Sequence, residues 1–79
     1  PVNATRVSRA QGKKQLIAAN LYDSAKLWVD NPSTPETARI GFYDEEYWVI
    51  TDEFVQMYKV KAGLTDAQLQ DLFNSAAAR

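Results

Sequence analysis

The chain has no cysteine and no histidine among its 79 residues, and only one methionine. Without cysteine there can be no disulfide staple, no thiolate nucleophile and no Cys-ligated zinc or iron–sulfur cluster. Without histidine the commonest metal ligand and the commonest general base are missing. Long apolar runs are missing too. Stretches such as Tyr47-Trp48-Val49-Ile50 are far too short for a membrane span or a signal-peptide core, so the chain reads as soluble and intracellular. A start at Pro1 fits removal of an initiator Met. Seventy-nine residues make one domain with a thin core and little room for a deep substrate cleft. Composition is otherwise that of a folded protein, with 46% hydrophobic and 24% charged residues.

Net charge is scarce as well, at −1, but the charges are unevenly placed. Residues 1–30 carry five cations (Arg6, Arg9, Lys13, Lys14, Lys26) against Asp23 and Asp30, a balance of +3. Residues 31–58 carry Arg39 against six carboxylates, a balance of −5, and the remainder adds +1. Such a layout suits oriented docking, since charge complementarity acts on encounter and register. Solvated helix faces are the plainer account of the same pattern.

Helix signals recur along the chain. Residues 1–7 show no period and read as a flexible arm, followed by a single helical domain over 8–79. Ser8 with Gln11 forms a capping box opening a helix that runs to about Ala19. Asn20 with Asp23 is placed to cap a second, ended by Asp30-Asn31-Pro32-Ser33, and Thr34 before Pro35 predicts the start of a third. Thr51-Asp52 opens a fourth, which Gly63 closes as a left-handed stop. Thr65 and Gln68 form a second capping box ahead of the stripe Leu69, Leu72, Phe73 and Ala76. The expected fold is therefore all-α, with four to five short helices. Residues 39–51 admit an alternative. Ile40, Tyr43 and Tyr47 lie on one helical stripe, whereas the aromatic and β-branched content suits a hairpin turning over Asp44-Glu45-Glu46, which would make the fold α+β.

Three surfaces are candidates for function. The carboxylates Asp44, Glu45, Glu46, Asp52 and Glu53 lack the alternation and central glycine of a calcium loop, and neighbours on a helix diverge by about 100°. They read as a solvated acidic face, with no metal, cofactor or catalytic residue assigned. Lys13 and Lys14 with Arg6 and Arg9 form a basic patch, and the Gly63-Leu64 corner resembles a helix-turn-helix, so a small DNA-binding regulator is the rival function. The helix after Thr65 argues against it, since it offers Gln68, Gln70, Asp71, Asn74 and Ser75 with no cation before Arg79. Finally, nine aromatics exceed what a thin core needs. Tyr43, Tyr47, Trp48 and Tyr58 are the candidate contact residues for a protein partner, steered by Lys13, Lys14, Asp44, Glu45 and Glu46.

The order of three blocks carries a resemblance. Val7-Ser8-Arg9-Ala10-Gln11, Ala38-Arg39-Ile40 and Gly63-Leu64-Thr65-Asp66-Ala67-Gln68-Leu69 with Leu72-Phe73 together resemble a family of small phage and prophage proteins encoded near tail and tail-fibre genes. The similarity spans residues 7–78. Ser8 stands where the family has Thr, and Ile40-Gly41-Phe42 departs from its Ile-Glu-Trp pattern. The resemblance implies helix through the middle segment and a non-enzymatic role in the virion or its assembly, in the particle or the host cytoplasm. The implied partners are tail or fibre proteins, or copies of the chain itself.

Overall fold

Both capping boxes form as their residues dictate. A computed structural model describes residues 3–79. In it the Ser8 Oγ accepts from the Gln11 N–H at 3.0 Å while Gln11 returns an acceptor to the Ser8 N–H, opening helix α1 over Arg9–Ala18. At the other end, Thr65 and Gln68 exchange the same pair of bonds at the start of helix α5, Asp66–Ala77. Gly63 ends helix α4, Glu53–Ala62, with φ 69°, a left-handed conformation that favours glycine.

Two expected caps are corrected. Asn20 does not cap the second helix. It turns the chain in the left-handed region at φ 61°, which its short polar side chain tolerates, and helix α2 (Tyr22–Asp30) starts from Leu21 with no side-chain cap. Thr34 is likewise not the cap of helix α3, Glu36–Tyr43, where Pro35 takes that position. Thr34 is instead buried, and its hydroxyl donates to the Trp28 carbonyl beneath it. The end of α2 is closed from outside: the Arg39 guanidinium donates to the carbonyls of Val29 and Asn31, where a cation also suits the helix dipole.

Residues 39–51 resolve into neither of the two expected forms. Helix α3 stops at Tyr43, and Tyr47–Val49 forms a strand, β2, whose partner is the distant strand β1, Arg6–Ser8. The strands are antiparallel, with Arg6 opposite Val49, Val7 opposite Trp48 and Ser8 opposite Tyr47. Pro1 and Val2 of the expected arm lie outside the described residues, but Arg6 and Val7 belong to β1. The side chain of Val7 is buried, and α5 holds the preceding residues: Asn74 accepts from the Ala4 N–H and Gln70 donates to the Ala4 carbonyl. Five helices and this small sheet make one compact domain, with a radius of gyration of 11.5 Å.

Phe42 and Val29 lie at the centre of the core, with Leu16, Phe54, Val55, Leu69 and Phe73 around them. Leu72, the other large member of the α5 stripe, is half-buried. Trp48 plugs the space between α1 and α3. A Cβ on Gly12 would fall within 3.1 Å of three atoms of its ring, and a Cβ on Gly41 would lie 2.5 Å from the Cβ and Cγ of Phe54. Both glycines are thus space that the aromatic core occupies. The Trp48 indole N–H donates to the Gly41 carbonyl at 2.8 Å, so its polar atom is satisfied where it is buried.

Candidate functional site

Strand alternation sorts the aromatics. Because successive side chains of a strand point to opposite faces, pairing Val7 with Trp48 in the core turns Tyr47 outward. Trp48 is only 5% exposed and Tyr58 only 8%, so both are core residues, which corrects their place among the contact candidates. Tyr58 packs beside Trp28, with ring centroids 5.8 Å apart. Its hydroxyl is buried, and that burial pushes its pKa up.

Tyr43 and Tyr47 remain outside, 37% and 44% exposed. Ile40, one turn before Tyr43 on α3, joins them at 50% exposure. Ile40 and Tyr43 share a helical stripe that was visible in the sequence, but α3 ends at Tyr43, and Tyr47 reaches the surface from β2. Other exposed apolar residues, Ile17, Leu27 and Val60, sit on three different helices.

Cations from β1 and α1 hold both tyrosines. The Arg6 guanidinium lies 4.5 Å above the Tyr47 ring centroid, a cation–π contact. Arg9 donates through Nη1 to the Tyr43 carbonyl, and the Lys13 Nζ lies 5.1 Å from the Tyr43 ring centroid and 4.7 Å from that of Phe42. Partial burial against these rings, and then the neighbouring Arg9, lower the pKa of Lys13. On its far side Tyr43 donates its hydroxyl to Asp30 Oδ1 at 2.6 Å. That bond pushes the Tyr43 pKa up to about 12 and holds Asp30 below the usual carboxylate range. Lys26, 3.5 Å from Asp30, continues the chain of contacts.

The strand pairing also moves the charges. The +3 and −5 segments are not at opposite ends of the molecule. Antiparallel pairing of β1 with β2 lays the basic stretch from Arg6 alongside the acidic turn Asp44-Glu45-Glu46, and the Arg9 N–H donates to the Glu46 carbonyl at 2.9 Å. Asp44, Glu46 and Lys14 are exposed. Glu45 is half-buried, and its carboxyl is pushed up first by burial and then by the adjacent Asp52 carboxyl. Among the described residues the ion pairs are Lys26–Asp30 and Lys59–Asp66, so Arg6, Arg9, Lys13, Lys14, Asp44, Glu45 and Glu46 enter none. The described residues hold no group of three or more carboxylates arranged to share a metal ion, and no helix is long and apolar enough to cross a membrane.

Much of the polar face of α5 is occupied by the chain itself. Gln70 and Asn74 bind Ala4, and Gln68 completes the capping box. Lys59, near the Gly63-Leu64 corner, is paired with Asp66. Three of the five side chains considered for base contacts therefore already serve the fold. No family model, no curated protein and no solved structure matches this chain.

Proposed function

We propose that the chain is a non-enzymatic docking protein that binds a protein partner through the face made by Ile40, Tyr43 and Tyr47. The observation that carries this is the sorting of one short segment. Trp48 fills the core while Tyr43 and Tyr47 on either side of the acidic turn stay exposed, and among the described residues Arg6, Arg9, Lys13, Asp44, Glu45 and Glu46 around them enter no ion pair. An apolar, aromatic centre with a polar rim is the anatomy of a protein interface. The face belongs to a phage structural or assembly protein that docks with tail or fibre components or with copies of itself. That setting is supported by the order of the three sequence blocks that resemble the small phage family.

The test is particle retention. In particles purified from a host carrying the phage genes, mass spectrometry should detect the chain, and the Tyr43→Ser/Tyr47→Ser variant should be lost from them. A chain absent from particles and assembly intermediates contradicts the phage role. A variant retained like the parent contradicts the assigned face.

A further inference from the structure

Resting on that docking face, we infer that its occupant is a second copy of this chain, related to the first by a twofold axis. Tyr43 and Tyr47 lie near the axis, and the basic β1–α1 edge of each copy meets the acidic turn 44–46 of the other.

An interface about a twofold axis sets one patch against its own image. A patch of a single sign repels itself there, so a self-complementary patch must carry both signs, one on each side of the axis. This face has that composition. Arg6, Arg9 and Lys13 reach it from β1 and α1, and all three touch Tyr43 or Tyr47. Asp44, Glu45 and Glu46 lie between those two tyrosines in the chain. Opposite charges thus lie side by side within one molecule, yet no ion pair joins them among the described residues. A rotated copy offers each set the partner it lacks. Ile40, Tyr43 and Tyr47 supply the apolar centre, being the exposed large hydrophobics of α3 and β2. A partner with a uniformly acidic or basic surface would meet one half of this face favourably and be repelled by the other.

Sedimentation equilibrium from about 10 μM to about 1 mM, a range that reaches weak association, tests the pairing. The wild-type chain should pass from monomer to dimer, more weakly as salt is raised, because the rim pairs are exposed. Two charge-reversed variants sharpen the test: Arg6→Glu/Arg9→Glu and Asp44→Lys/Glu46→Lys. Position 9 is the first residue of α1, where an acidic side chain suits the helix dipole, and circular dichroism melting checks that both variants fold. Each variant alone should dimerise at least about tenfold more weakly, and an equimolar mixture should recover the dimer.

A wild-type chain that stays monomeric at about 1 mM overturns the inference. So does association that ignores both reversals and salt, or a mixture that fails to recover. If the wild type is monomeric but particle retention still depends on Tyr43 and Tyr47, a different protein occupies the face, and the docking function stands without self-pairing. A charge-dependent dimer that never enters particles leaves the self-pairing intact and removes the phage setting.

Discussion

Residues 51–79 and residues 39–50 are encoded in different ways. In the first stretch two boundaries are set by residues within four positions: Thr65 and Gln68 cap each other, and Gly63 ends α4. In the second, the fate of Tyr47 and Trp48 depends on a strand some forty residues away. Tyr47 is outside and Trp48 inside only because β2 pairs with Arg6–Ser8 in one register. A slip of one residue would exchange their faces. The outward turn of Tyr47 is thus a by-product of a long-range pairing, while the helical frame beneath it is built locally.

The largest expected break in this comparison comes from neighbouring residues. Trp48→Ala should destabilise the protein by about 3–5 kcal/mol in urea denaturation, through the lost core volume and the orphaned Gly41 carbonyl. Tyr47→Ala, one position away and exposed, should stay within about 0.5 kcal/mol. Next is Gly41→Ala, where a methyl group would meet Phe54. The expected loss is about 1–3 kcal/mol, although alanine is the better helix former, and a stability gain would show that α3 and α4 separate more easily than their packing implies.

A smaller effect tests the locally encoded half. Thr65→Ala should cost about 1 kcal/mol by removing one side of the capping box, and Thr65→Ser should restore most of it. Because α5 also holds Ala4 beside β1, Thr65→Ala should lower amide protection in β1 and β2 by no more than this global loss.

The smallest effect is on pH dependence. The hydroxyl of Tyr43 is favoured in its neutral form because it donates to Asp30, and its pKa in the folded chain is about 12 against an ordinary value of 10.0. Its contribution to stability is therefore fully present below pH 10 and lost as pH rises through about 12. Ultraviolet difference titration should show the Tyr43 phenol ionising in that upper range, a step that Tyr43→Phe removes.

What was legible in the sequence follows the same division. Ser8, Gly63 and Thr65 act on their own turn of helix, and their roles can be read without knowing the fold. Asn20 and Thr34 carry the right chemistry for caps, yet the corner after α1 requires a left-handed residue, and the Trp28 carbonyl takes the Thr34 hydroxyl. The β1–β2 pair left little local trace, since three residues are too few to display alternation. Of the contact candidates, Tyr43 and Tyr47 are on the surface, whereas Trp48 and Tyr58 turn inward for reasons that lie in β1 and α2. Ile40 is also exposed, and the stripe it shares with Tyr43 was visible without showing which way it pointed, nor that the helix would stop before Tyr47.

The most direct test of the docking face is amide chemical-shift mapping of the labelled chain from dilute to concentrated solution. Concentration-dependent shifts should gather at residues 40–47 and 6–14, with α4 and α5 silent. Shifts centred instead on Ile17, Leu27 or Val60, or spectra unchanged on concentration, would contradict the pairing of copies through Tyr43 and Tyr47.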